Sequence, residues 1–244
     1  VNPAINKPMA LNKLRVILSH TSHPGNIGAA ARAMKTMGIS SLYLVNPKYF
    51  PDPQATAMAS GAGDLLEAAR VCASLDEALA GATLAVAITA RSRDLSQQIR
   101  TLRQAAPEIV EASRQQEVAL VFGTEMSGLT TDEISRCQLL VTIPANPEYS
   151  SLNLAAAVQV VGYELRATAG DIPHTRNKQQ ELADLEDVER FYRHLEEVLV
   201  EIRFLDPKHP KRLMERLRRL FGRTRLEKEE VNILRGILTA VKNS

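Results

Sequence analysis

The chain has 244 residues, 45% of them apolar, enough for one substantial core and a smaller appendage. Net charge is only +2, and no apolar run approaches the roughly 20 residues of a membrane helix, which leaves no candidate span. Cys72 and Cys137 lie far apart, with no CxxC or Cys/His cluster, which argues against a zinc site or disulfide framework and fits a reducing cytoplasm.

In chain order, residues 1–13 (VNPAINKPMALNK) lack the apolar stretch of a secretory signal and read as a flexible tail, with Met9 an alternative start. Apolar runs rich in β-branched residues follow at 15–19 (RVILS), 41–45 (SLYLV), 83–89 (TLAVAIT), 118–123 (VALVFG) and 139–144 (LLVTIP). They are short and nearly continuous, as suits parallel strands buried on both faces. Helical patterns lie between them. Residues 28–37 are Ala-rich and stop at Gly38, a suitable C′ residue. Ser74 to Glu77 and Thr130 to Glu133 match the capping box. Residues 95–113 and 152–167 are longer helical stretches. The alternation predicts an α/β domain over 14–167 with a mostly parallel sheet.

Residues 168–180 are polar, contain Gly170 and Pro173, and read as a linker. Beyond it, residues 181–244 carry no strand signal. Residues 182–204 place apolar side chains at helical spacing, and Leu213, Leu217 and Leu220 begin a second helix on which Arg212, Arg216, Arg219 and Arg223 share a stripe. Thr224 to Glu227 matches another capping box, ahead of a last helix to about Val241. This part is a small all-α module. Its charge is uneven: residues 203–225 hold nine Lys/Arg against two acids, whereas residues 1–174 hold 14 basic and 15 acidic residues. Such a block suits a phosphate-rich partner or a solvated helix face.

In parallel α/β sheets ligands bind beyond the carboxyl ends of the strands. That rule selects Ile88, Thr89 and Ala90, then Gly123 to Glu125, then residues 143–153. Backbone groups there suit an adenine edge, and Ile88, Ile143 and Leu152 suit its faces. Ser150, Ser151 and Asn153 also have a plain reading, since one of them is the helix N-cap. Arg32, amid alanines, either snorkels to solvent or grips a phosphate. There is no GxxxxGK[ST], Gly61-Ala-Gly63 lacks a Rossmann context, and no nucleophile elbow exists. His20 and His23 have no nearby carboxylate in sequence to complete a metal set, so no metal is expected.

Together, Asn26-Ile-Gly28 through Arg32, Phe122-Gly-Thr-Glu125-Met-Ser-Gly128-Leu129, and Ile143-Pro144 with Ser150-Ser-Leu-Asn153 resemble the three signature motifs of the SPOUT methyltransferases. Past Leu14 the chain is similar to the bacterial TrmJ subfamily over almost its whole length, including HTSHPGNIGAAARAMKTMG, TARSR, ANPEYSSLNLA and the tail LRRLFGR with NILRGIL. The resemblance implies a C-terminal trefoil knot, an exception to the rule against threading. It implies ribose 2′-O-methylation of cytidine or uridine at nucleotide 32 of the tRNA anticodon loop, with S-adenosyl-L-methionine as cofactor, by a homodimer paired through the helix after the third motif.

By the same resemblance, the adenosyl group lies against Ile88, Thr89, Ala90, Gly123, Ile143, Ser150, Ser151 and Leu152. Arg32 is the catalytic candidate, with Asn26, Glu125, Ser151 and Asn153 nearby. The helical extension holds tRNA, and its basic block, Arg212, Arg216, Arg218, Arg219, Arg223 and Arg225, is expected to meet phosphates. Two departures stand out: Thr124 replaces an Arg frequent in the subfamily, and residues 94–117 differ from the Pro- and Trp-containing loop of close relatives. Competing readings are a ribosomal-RNA enzyme of the same class, a non-catalytic cofactor-binding RNA chaperone, and a small-molecule methyltransferase.

Overall fold

The computed structural model describes residues 11–90, 98–171 and 182–243. The segment 91–93 of the TARSR match therefore lies outside the described residues, as does most of the expected linker. Among the described residues the strands are β1 (Leu14–Ser19), β2 (Ser41–Val45), β3 (Arg70–Cys72), β4 (Leu84–Ile88), β5 (Ile99–Thr101), β6 (Val118–Phe122) and β7 (Leu139–Thr142). They form one sheet in the order β3-β2-β1-β6-β4-β7-β5, and every pairing is parallel. The five strands expected from sequence are its centre. The two unexpected ones are three-residue edges, too short to carry a periodic pattern.

The helices are α1 (Pro24–Met37), α2 (Pro53–Ala59), α3 (Gly63–Glu67), α4 (Leu75–Leu79), α5 (Leu102–Gln115), α6 (Thr131–Ser135), α7 (Leu154–Asp171), α8 (Leu185–Glu201), α9 (Leu213–Gly222) and α10 (Lys228–Lys242). Helix α1 begins at Pro24, where a missing N–H costs nothing, and ends at Gly38 with φ 73°. The helix expected over 95–113 starts instead at Leu102, because Thr101 and Gln104 close a capping box there and Ile99 to Thr101 pair with β7. The Thr130–Glu133 box forms in full. At Ser74 only half of it does, since Glu77 accepts from Ala73 N–H rather than from Ser74.

Three further boundaries differ from the sequence reading. The expected tail ends earlier, because Leu11 is buried in the core and Lys13 bonds Gln115 and Val118. The expected linker begins later, because α7 runs through Thr168, Ala169 and Gly170; one Gly costs a helix only about 1 kcal/mol. The box at Thr224 is not used. Thr224 instead caps α9 by bonding Phe221 O, and α10 opens on a box between Glu227 and Glu230. Leu226 between them is fixed by tertiary contact, its carbonyl accepting from Ala183 N–H at 2.9 Å.

Two apolar layers cover the sheet. One packs α1, α5 and α7 over Val16, Leu18, Val86, Leu120 and Val141; the other packs α4 and α6 over Ile17, Ala85, Ala87, Val121 and Leu140. Leu185, the first residue of α8, inserts into the second layer, and its N–H bonds Ala82 O at 2.6 Å. A separate small core holds the helical part together. Phe191 stacks edge-on to Phe221 there, with ring centroids 5.0 Å apart. No helix among the described residues is long and apolar enough to cross a membrane.

Candidate active site

Strands β6, β4 and β7 are neighbours, and the register sets Ile88 beside both Phe122 and Val141. Three chain segments therefore leave the sheet at one level and open a common cleft. Its lining includes all eight residues expected to hold the adenosyl group: Ile88, Thr89, Ala90, Gly123, Ile143, Ser150, Ser151 and Leu152. Phe122, Thr124, Glu125, Met126, Ser127, Gly128, Leu154 and Ala157 also line it. Of these, Phe122 to Gly128 belong to the second motif, and Thr124 and Glu125 also follow a strand end; Leu154 and Ala157, on α7, carry no sequence signal for the cleft.

That closure is local chemistry. Thr124 N–H donates to Gly128 O, Gly128 N–H returns to Thr124 O, and Gly128 takes φ 69°. A Cβ on Gly123 would run into the backbone of Gly128 and Leu129, so the close approach requires glycine. Thr124, the first departure noted in the sequence, turns its hydroxyl onto its own loop. It bonds Ser127 Oγ at 2.7 Å and accepts from Ser127 N–H at 3.1 Å. The side chain at this departure thus braces the loop.

Glu125 ties this loop to the start of α1. Its Oε2 accepts from Ser22 N–H at 3.1 Å and Ser22 Oγ at 2.9 Å; its Oε1 accepts from His23 N–H at 3.2 Å and Asn26 Nδ2 at 3.0 Å. Burial alone would raise the carboxyl pKa, but these donors outweigh it and hold Glu125 below the usual glutamate range. Asn26 Oδ1 in turn accepts from Asn153 Nδ2 at 3.0 Å, and Asn153 Oδ1 caps α7 through Ala155 N–H at 2.9 Å. Among Ser150, Ser151 and Asn153, the N-cap is therefore Asn153. One hydrogen-bonded chain joins all three sequence motifs.

A second carboxylate braces the same loop from behind. Glu133 accepts from Ser19 Oγ and from Thr130 N–H and Oγ1, and His20 Nδ1 lies 3.8 Å from it. The sequence reading found no carboxylate near His20 because 113 positions separate the two. Among the described residues no group of three potential ligands is arranged to hold a metal.

Arg32 projects from the exposed side of α1, does not line the cleft, and has no ion pair among the described residues. It lies six residues along α1 from Asn26, about 9 Å of helix rise. Helical side chains lean toward the N-terminus, which is the cleft end of α1. The candidate RNA contacts divide. Arg216, Arg219 and Arg223 have no ion pair among the described residues, and Arg212 only a loose one, 3.9 Å to Glu215. Arg218 is clamped by both oxygens of Glu189 and stacks 4.5 Å from the Tyr192 ring centroid. Arg225 pairs with Glu108 at 3.4 Å.

The cleft fits an adenosyl group. Apolar Ile88, Ile143 and Leu152 line it beside polar Thr89, Ser150 and Ser151, which suits an apolar ring with a polar edge.

Residues 13–163 match the SpoU rRNA Methylase family, and residues 186–244 match the C-terminal domain of the tRNA methyltransferase TrmJ. A tRNA (cytidine/uridine-2′-O-)-methyltransferase TrmJ from Sodalis glossinidius is 48% identical over 237 residues, covering 96% of this chain and 93% of its own length. A tRNA (cytidine/uridine/adenosine-2′-O-)-methyltransferase TrmJ from Pseudomonas aeruginosa is 50% identical over 240 residues, covering 94% and 93%. The crystal structure of TrmJ from Z. mobilis superposes with TM-score 0.83 at 35% identity, covering 93% of this chain and 98% of that one.

Proposed function

The chain belongs to the TrmJ subfamily of SPOUT-class tRNA 2′-O-methyltransferases, and on that premise we propose that it methylates the ribose of cytidine or uridine at position 32 of the tRNA anticodon loop with S-adenosyl-L-methionine. The observation that carries this reading is the continuous chain Glu125–Asn26–Asn153, which gathers three distant motifs around one cleft.

When bound, the cofactor supplies a methyl group already activated on a sulfonium. The protein's share is then to place a 2′-hydroxyl in line with it and help the proton leave. Ile88, Ile143 and Leu152 would hold the adenine, while Gly123, Ser150 and Ser151 would offer backbone groups to its edge and ribose. The cofactor would give up this methyl to the 2′-oxygen, whose proton would pass to solvent. Guanidinium stays protonated at neutral pH, so Arg32 does not serve as the base. It clamps the phosphate beside the target nucleotide and favours the alkoxide electrostatically. Asn26, Glu125 and Asn153 hold the loops in register, and Glu125, with its donors already in place, acts by positioning.

Arg212, Arg216, Arg219 and Arg223, on α9 or at its ends, meet tRNA phosphates, and all but Arg219 are exposed. A second copy of the chain covers the open face of α7, where Val160 and Tyr163 are 37% and 61% exposed, forming a homodimer. The strand order, with β7 inserted between β4 and β5, suits a chain whose last strand and helix thread a knot.

The test is transfer of labelled methyl to unmodified tRNA, followed by nuclease digestion and mass spectrometry. The expected mark is a 2′-O-methyl at nucleotide 32. A mark elsewhere in tRNA rejects the position, transfer to ribosomal RNA alone rejects the substrate, and cofactor binding without transfer to RNA favours a chaperone. Arg32→Ala should abolish transfer with cofactor affinity intact; loss of cofactor binding would remove Arg32 from its assigned role.

A further inference from the structure

Arg225 sits where three segments meet: α5 of the sheet part, the chain entering the helical part, and the turn between α9 and α10. Its backbone has φ 51°, the left-handed region that L-residues avoid. Its side chain is 28% exposed, and its Nε is buried without a partner. Nη1 donates to Glu108 Oε1 at 3.4 Å, while the other oxygen of Glu108 accepts from Arg100 Nη1 at 2.5 Å. One carboxylate on the sheet part is therefore shared by a guanidinium of β5 and a guanidinium of the helical part. Beside it, Ala183 N–H bonds Leu226 O, and Leu182 bridges Glu227.

The surroundings are hostile to RNA. The groove at Arg225 is lined by Glu108, Glu111, Glu227 and Glu230. A phosphate reaching Arg225 would come close to four carboxylates and would have to displace one of them. Arg216 and Arg223, by contrast, are exposed and have no ion pair among the described residues.

We propose that Arg225 fastens the helical module to the sheet domain, that it makes no RNA contact, and that Glu108 is the positioning residue on which it is fastened. The pair sets the distance and angle between the phosphate-facing stripe of α9 and the methyl-transfer cleft. This rests on the reading that α9 binds tRNA, and the experiment separates the two.

Full-length Arg225→Ala, Glu108→Gln, the apolar swap Glu108→Met with Arg225→Met, which keeps the seam filled without like charges, and Arg216→Ala as a reference are assayed for tRNA affinity across salt, for KM and kcat with a tRNA transcript, and for cofactor affinity. Arg225→Ala is expected to raise KM for tRNA several-fold while the slope of log Kd against log salt stays at the wild-type value. Arg216→Ala flattens that slope by about 0.7 to 0.9. Glu108→Gln should raise KM like Arg225→Ala, the swap should restore it, and cofactor affinity should not move. If Arg225 instead contacts RNA, Glu108→Gln frees it and tightens tRNA binding, Arg225→Ala flattens the slope as Arg216→Ala does, and the swap restores nothing. Any of these overturns the fastening. If Arg216→Ala leaves the slope untouched, the phosphate role of α9 fails instead, and rescue of KM by the swap still decides the fastening.

Discussion

Glu125 in the cleft and the arginines of α9 carry their charge under opposite conditions. Glu125 is met by the N–H groups of Ser22 and His23, the hydroxyl of Ser22 and the amide of Asn26. Arg216, Arg219 and Arg223 meet no carboxylate among the described residues. The difference follows from what each must do. A charge that fixes the geometry of a small cleft has to be held by several short bonds, because a shift of about 1 Å there is costly to catalysis. A charge that receives a polyanion has to stay unpaired until the polyanion arrives, since its contribution comes from released counterions. Arg218 and Arg225, in the same basic block, are treated like Glu125: both are engaged by carboxylates at partly buried sites. Position in the fold, and not proximity in sequence, separates the two uses of arginine.

The contrast is tested most severely at Glu125. Glu125→Ala strands the two backbone N–H groups and the Asn26 amide, each worth about 1 kcal/mol, so roughly 3 kcal/mol and about 100-fold in methyl transfer are expected to go. The transfer assay reads this directly, and retention of wild-type turnover would deny the cleft its brace. On the other side, replacing Arg216, Arg219 and Arg223 together with Ala should weaken tRNA binding roughly 30-fold near physiological salt and flatten the salt slope by about 2 to 3. Calorimetry on the same protein should show unchanged cofactor binding.

A smaller effect is expected at the seam. Leu185→Ala removes the side chain that plugs the helical part into the sheet layer around Cys137. It should cost about 2 kcal/mol in stability. The Cys137 thiol, pushed up to about 12 by burial and by nearby Glu133, is expected to resist alkylation at pH 8 in the wild type and to react measurably faster in the variant. The mildest test is acid. Because the folded pKa of Glu125 is depressed, its brace is fully present above the ordinary glutamate value and is lost only as pH falls through the lower folded value. Cofactor affinity should therefore be flat from pH 8 to about 5 and fall below about 4. Glu125→Gln, already without the charge, should lack that acid limb.

Much of this molecule was legible before any coordinates. Continuous runs such as VALVF read as central strands because parallel strands buried on both faces leave no polar alternation to confuse the pattern. The eight residues expected at the adenosyl site all line one cleft, because strand ends in a parallel sheet must lie together. Short edges were not legible: Arg70 to Cys72 and Ile99 to Thr101 owe their strand form to a neighbour's hydrogen bonds. The unused capping box at Thr224 failed for a related reason. Its local preference was overridden by Leu226, buried and bonded to Ala183.

The order of apolar and polar residues by itself determined an α/β sheet domain with a basic helical tail, because periodicity is a property of neighbouring positions; the chemistry came from the resemblance of the three motifs to a known family. Only the tertiary structure decided which charges are spent inside the protein and which remain for a ligand. Glu125 meets Asn26 across 99 positions and Arg225 meets Glu108 across 117; a Coulombic or hydrogen-bonded pair depends on distance in space, which the spacing of residues along a chain does not encode.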